Sequence, residues 1–561
     1  MSGQVQGFRL SPQQRHVWRL QAESRAYRSQ IALLLDGDLD AEALHRALTA
    51  AAGRHEALRT GFRRSPGVRF PLQTVAEAPP PPLWQTADLA EKGEDAIDDL
   101  FRQAARRPFD MERGPLVHAW LATLGPGRHL LVLGVPALCA DRTALRSLVR
   151  DVAAAYDGSL PAEEPVQYAQ FSEWQNELLS SDESLSGREF WHHQGQAAPL
   201  GWRLPLEGGT PGGGYAPERT EVPVSPELAA RLESLAEAAG VPVAAVLLAA
   251  WQALLARLTG EQRLGVGVVL DGRQQEGLED AVGLFARCVP LASRTESDDT
   301  FRHLVARAQE AWSEAADWQV CYAPEEGERA LAGMPAGFEI VEQAEPVQAG
   351  GITVSPLREV SLVERFKIGL TALRGARGGD RLSLELHHDP RLFPADYVRT
   401  LADRFVLLLG ALVAEPDRPV GEAELLNGAE RRRLLAGLND TAASYPADRC
   451  VHQLFAEQAA RTPEAPAVEL LDESLTYADL DDRASRLARF LRGLGVGPDT
   501  VVGVCMERSL EMAVALLGVL KAGGAYLPLD STYPRERLAF MAADSGVQIV
   551  LSQSKLAELL P

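Results

Sequence analysis

Apolar and polar positions follow two rhythms along this chain. Residues 30–35, 116–124 and 129–135 are short apolar runs bounded by polar turns, which predicts buried strands. Residues 12–21, 41–52 and 144–156 carry helical spacing instead. Strands and helices therefore mix over 1–175, with "APPPPLW" (78–84) as an irregular connector. The polar, Ser-rich stretch 176–190 is expected to link this part to the next.

The pattern then starts again. "SPELAARLESLAEAAGVPVAAVLLAAWQALLARLTG" predicts two helices, with Ser225 as N-cap and Gly240 as stop. The second of them, over 241–258, is apolar almost all round and is expected to be buried. "RLGVGVVLDGR" and "RLSLELHHD" read as strands, and 394–413 as a helix. The Gly-rich loop 207–218 is too permissive for regular structure. Residues 191–425 thus form a second α/β part, and 426–448 a linker containing short helices. A third α/β part fills 449–561, where strand, helix and strand follow in an order that suggests parallel pairing.

The 561 residues suffice for about three or four domains. With 46% apolar residues, sizeable cores form. A net charge of −21 argues against nucleic acid as a partner. No apolar run approaches membrane-spanning length and no signal peptide opens the sequence, so a cytoplasmic protein without a membrane partner is expected. Cys139, Cys288, Cys321, Cys450 and Cys505 lie far apart, without zinc or redox spacing. They are expected as reduced, mostly buried thiols, and no metal site is expected.

Four ordered segments, "LSPQQRHVW", "GRHEALRTGF", "YAQFSEW" and "VGLFARCVPL", resemble the condensation domain of nonribosomal peptide synthetases over about residues 8–425. "LTYADL" and "LKAGGAYLPLD" resemble the first two signature motifs of an adenylation domain, whose later motifs do not follow. The resemblance implies two chloramphenicol-acetyltransferase-like lobes in a V, followed by a partial adenylation subdomain that is incomplete and inactive. It implies that the chain binds no cofactor of its own. Its substrates would arrive on phosphopantetheine arms of partner carrier proteins, through a tunnel between the lobes. The remaining adenylation and carrier domains of a synthetase, and a recruited tailoring enzyme, are the partners it suggests.

The family carries His-His-x-x-x-Asp-Gly at the stretch that reads "VPALCADRTAL" here. Aligned on Asp141, the two histidine positions hold Pro136 and Ala137, and the glycine position holds Arg142. Ala137 cannot titrate, and a positioned base contributes about 10²–10⁴-fold to such chemistry. The family's Asp is structural and pairs with an arginine, which implies an Asp141–Arg273 salt bridge; a carboxylate so held is a weak base. Cys139, Arg142 and Arg287 are the tunnel candidates. Cys139 lacks a nearby base, so a buried apolar role is expected. Arg287 stands where the family often has asparagine. Each arginine either plugs the channel, holds an acidic group or folds back onto a local carboxylate. "WQVCYAPEE" (318–326) also departs from the family pattern. The pairs His192-His193 and His387-His388 lack the motif spacing and are read as boundary residues.

Two functions follow from the resemblance. The first is a condensation-like segment that engages carrier-bound thioesters, lacks His-dependent amide formation and acts as a gating or recruitment platform. The second is an atypical catalyst that forms the amide bond by aligning its substrates, an effect worth up to about 7–11 kcal/mol. Heterocyclisation lacks its second Asp, because Pro136 occupies that position.

Overall fold

The computed structural model describes residues 7–24, 26–64, 67–78, 80–90, 92–209, 214–324, 334–375 and 382–560. The chain forms two compact units, 1–435 and 436–561.

The first unit holds strands β1 (Arg28–Asp36), β2 (Thr60–Arg63), β3 (Leu72–Val75), β4 (Leu83–Asp88), β5 (His118–Gly125), β6 (Arg128–Pro136) and β7 (Glu218–Val222). It continues with β8 (Arg263–Leu270), β9 (Arg287–Arg294), β10 (Met334–Glu342), β11 (Val347–Ala349), β12 (Ile352–Ser361), β13 (Phe366–Arg374) and β14 (Ser383–His388). Two six-stranded sheets result, ordered β11-β12-β1-β6-β5-β4 and β7-β14-β13-β10-β8-β9. β4–β5, β8–β10 and β10–β13 pair in parallel, and the other neighbours pair antiparallel.

Membership of the sheets does not follow the chain. β11 and β12 lie within 191–425, yet they extend the first sheet along β1. Ile352 and Val354 bury in the same core as Ile31 and Leu133, so burial holds the crossing strand where it pairs.

Helix α1 (Pro12–Glu23) starts at a Ser11 capping box closed by Gln14, with Pro12 in its first turn. After α2 (Ala41–Arg54) and α3 (Glu94–Arg106) comes α4 (Arg142–Tyr156), capped by Asp141. The Ser-rich stretch expected as a link is mostly helical. It ends α5 (Tyr168–Ser180) and begins α6 (Leu185–Ala197), whose Trp191 is buried and donates Nε1–H to Trp318 O at 2.8 Å.

In α7 (Pro226–Ala239) Ser225 is the N-cap, and Gly240 closes the helix in the left-handed region. In α8 (Val243–Thr259) every residue from Val243 to Ala256 is buried. Among the described residues no single helix is long and apolar enough to cross a membrane; α7 and α8 pass only as a pair bent by 107°.

The second unit carries a three-stranded parallel sheet built from Val501–Cys505, flanked by Ala525–Pro528 and Ile549–Ser552. Helices Tyr477–Gly493 and Leu510–Ala522 pack in the same unit.

Candidate functional site

The loop after β6 is a tight, buried turn. Cys139 N–H and Ala140 N–H both donate to Pro136 O, at 2.9 and 3.2 Å. Ala137, Leu138 and Ala140 are fully buried and Cys139 is 1% exposed. Neighbouring elements pin the turn. Gln14 of α1 donates to Leu138 O at 2.9 Å, and Ser29 of β1 donates to Ala140 O at 2.8 Å. Neither Pro136 nor Ala137 offers a proton-transfer group, and burial pushes the Cys139 thiol well above its ordinary range. A thiol held protonated is a poor nucleophile.

Asp141 is fully committed. Its Oδ1 accepts from Ala144 N–H at 2.8 Å and from Arg273 Nη2 at 2.9 Å. Its Oδ2 accepts from Phe285 N–H and Ala286 N–H, both at 2.8 Å, and from Arg273 Nη1 at 3.1 Å. Both side chains of the ion pair are almost completely buried. Burial lowers the Arg273 pKa, but Asp141 and Asp271 together override it and raise it above the ordinary value. The guanidinium also lies over the Phe285 ring at 4.5 Å. Gly272, at φ +80°, makes this approach possible, since a Cβ there would stand 2.1 Å from Phe285 O. Asp141 thus caps α4 and ties it to the second half of the unit, leaving no free lone pair for a reacting amine.

Arg142 spans a cleft of about 260 Å³ between β12 and the second sheet. Its Nε and Nη2 reach the two carboxylate oxygens of Glu339 on β10 at 3.3 and 3.1 Å. Its Nη1 lies 3.6 Å from Glu359 on β12, which Arg146 also holds at 2.6 Å. Burial lowers the Arg142 pKa, and the two carboxylates outweigh that and raise it. Of the sequence alternatives for Arg142, folding back onto carboxylates is the one seen, and those carboxylates sit on different sheets.

Arg287 opens β9 and is 4% exposed. Nη1 donates to Gln319 O at 2.5 Å and Nε to Phe285 O at 3.4 Å. Among the described residues no carboxylate lies within ion-pair distance, and burial pulls its pKa down to about 10. Cys139 borders none of the spaces next to Arg142 or Arg287. Sequence reasoning missed His16, whose Nε2 lies 2.8 Å from Glu364 Oε2, with both side chains buried. A polar pair at 16 and 364 carries no local signal.

Of the two histidine pairs read as boundary residues, His387 lines the cleft that Arg142 spans. His192 contacts Gln196 at 3.0 Å, and His387 contacts Glu385 at 3.2 Å. Among the described residues no group of three or more His, Cys, Asp or Glu is placed to hold a metal. Parts of two sequence segments, 210–213 and 325–326, lie outside the described residues.

The Condensation domain family matches residues 5–324, and the AMP-binding enzyme family matches residues 455–561. Chondramide synthase cmdD of Chondromyces crocatus is 34% identical over 98% of this chain, which spans 15% of that protein's length. A holo four-domain nonribosomal peptide synthetase bound to AMP and glycine superposes at a TM-score of 0.77. It is 20% identical, over 99% of this chain and 44% of its own. The X-domain in its complex with OxyB from teicoplanin biosynthesis superposes at a TM-score of 0.63. It is 24% identical, over 76% of this chain and 98% of its own.

Proposed function

This chain belongs to the condensation-domain family of nonribosomal peptide synthetases, and on that premise we propose that its condensation-type unit is a gating or recruitment platform. It engages acyl groups tethered to carrier-protein phosphopantetheine arms, without histidine-dependent amide formation. One observation carries the reading: the turn holds Ala137 where a base is needed, and the neighbouring Asp141 carboxylate accepts from Ala144, Phe285, Ala286 and Arg273. Arg142 adds a barrier, since its pairing with Glu339 and Glu359 crosses the cleft a tethered arm would enter. Recruitment is supported by the X-domain, a protein of the same fold whose structure was solved with OxyB. The partners are carrier proteins, the adenylation and carrier domains of a synthetase and a tailoring enzyme, and the setting is the cytoplasm.

The test is direct. Donor and acceptor carriers are loaded, mixed with the protein and read by intact-protein mass spectrometry. Product made by wild type, and lost when the cleft is blocked, would eliminate the platform. The second reading, catalysis without the usual histidine, gains support from the His16–Glu364 pair, because Glu364 borders the cleft. Product that disappears in His16→Asn would select it.

A further inference from the structure

A row of glycines crosses the second sheet where it borders the cleft. Gly267 of β8 pairs with Gly337 of β10, and Gly337 pairs with Gly369 of β13. Gly337 and Gly369 both line the cleft. Side chains alternate along a strand. On β10, Ala336 and Phe338 bury in the core behind the sheet, while Glu339 meets Arg142 across the cleft. The side chain that Gly337 lacks would therefore point to the cleft side.

The ring of Phe366 occupies that place. A Cβ on Gly337 would stand 2.6 Å from its Cγ and Cδ1 and 2.7 Å from its Cδ2. Such nearly equal distances put the glycine under the face of the ring and not at its edge. A Cβ on Gly267 would stand 2.9 Å from Cε1, and one on Gly369 would stand 3.6 Å from Cδ2. One face of the ring thus rests on the sheet. Phe366 is nevertheless part-exposed and lines the cleft, so its other face is the one offered there.

The backbone behind the ring is tied down. Arg365 O accepts from Met334 N–H at 2.9 Å, Phe366 O from the Tyr215 hydroxyl at 3.1 Å and Lys367 O from Asp389 N–H at 3.0 Å. An aromatic face fixed in advance costs a ligand little ordering, and rings favour offset stacking on such a face. Arg142 and Arg219 in the cleft are matched by Glu339 and Glu385. The ring offers what those paired charges do not, a surface for an apolar group.

We propose that Phe366 is a specificity-determining residue of the cleft: its open face stacks with an aromatic side chain carried by the tethered acyl group. The inference rests on the reading that the cleft admits carrier-tethered groups, and it names their class as aromatic.

The full chain is titrated calorimetrically with the phenylalanyl, cyclohexylalanyl and alanyl amides of aminopantetheine, which do not hydrolyse as thioesters do. All three meet Arg142, so their ratios are free of that barrier. The phenylalanyl amide binds at least about tenfold tighter than the alanyl amide, a difference of about 1.4 kcal/mol. The cyclohexylalanyl amide, of similar bulk but not flat, binds more weakly than the phenylalanyl. Phe366→Leu brings these two to the same level. Gly337→Ala keeps the ring but pushes it off its seat, and weakens the phenylalanyl amide while the alanyl changes little. Alanyl binding as tight as phenylalanyl in wild type overturns the proposal without any variant, so a misfolded variant does not protect it. Cyclohexylalanyl binding as tight as phenylalanyl in wild type overturns the stacking contact, as does a full aromatic preference surviving in folded Phe366→Leu. Binding of none of the three, by wild type or by Arg142→Ala, removes the reading that the cleft admits tethered groups and the proposal with it.

Discussion

Arg142, the first residue of α4, bonds both oxygens of Glu339 on one sheet and lies 3.6 Å from Glu359 on the other. Removing the guanidinium leaves Glu339 without that cation and leaves Glu359 with Arg146 alone. Arg142→Ala is expected to destabilise the first unit by about 1–3 kcal/mol in urea unfolding. The same variant should bind a pantetheine thioester more tightly, because the barrier across the cleft is gone. Unchanged or weaker binding would rule out a gate at this position.

Asp141 is expected to be a structural carboxylate. Asp141→Ala leaves Arg273 buried beside the single exposed-edge partner Asp271 and frees Phe285 and Ala286 N–H. A loss of about 3–5 kcal/mol follows. Asp141→Asn keeps the shape but loses the charge, and should fall between Ala and wild type. Denaturant midpoints check both. Full stability in Asp141→Ala would show that the pair does not tie the halves together.

Restoring a histidine does not restore chemistry by itself. Ala137 is fully buried in a packed core, so Ala137→His overpacks the turn and costs about 1–3 kcal/mol. The cleft also stays bridged by Arg142. No condensed product is expected from Ala137→His in the loaded-carrier assay. A clear gain of product would show that the turn accepts an imidazole and that the bridge is no barrier.

Acid should loosen the first unit through His118. This ring sits between Phe109 at 4.3 Å and Trp120 at 5.9 Å, and burial, helped by Arg107 and Arg28, lowers its pKa to about 4. The unfolded chain, with a histidine near 6.5, takes up this proton first as pH falls. The contribution is therefore complete above about pH 6.5 and is lost progressively towards pH 4, amounting to about 2 kcal/mol after allowance for screening. His118→Phe should flatten the unfolding free energy over that window. An equally steep profile in the variant would place the dependence elsewhere.

Thiol alkylation should report one reactive site. Cys450 is exposed, whereas Cys139, Cys288, Cys321 and Cys505 are buried. Burial also pushes the Cys139 and Cys288 thiols up, which keeps them protonated. Native iodoacetamide treatment should add one label at Cys450, with the others modified only after unfolding. Early labelling of Cys139 in a peptide map would mean that the turn opens.

What the sequence revealed was local. The register ending at Asp141 came from the resemblance, aligned on that residue ahead of the helical pattern 144–156; its place as the cap of α4 was not read from the sequence. Ser225 and Gly240 were readable because a capping residue beside a helical pattern leaves a short-range signature. The placement of β12 beside β1 was not, since both strands are apolar in the same way and nothing local names a partner. The carboxylates that meet Arg142 lie on strands far along the chain, and His16 meets Glu364 across the whole unit. The helices within 176–190 were not legible because the stretch is polar and Ser-rich, while Trp191 just beyond anchors the second of them.

β12 has a practical consequence for anyone who would splice this protein. Its backbone is the neighbour β1 needs, yet it is encoded after four of the six strands of the opposite sheet. A gene fragment ending before residue 347 would leave β1 with a bare row of amides and carbonyls, inviting self-association. Chimeras that trade one half for a foreign counterpart would have to carry that returning ribbon across too, so the pair is best exchanged as one cassette.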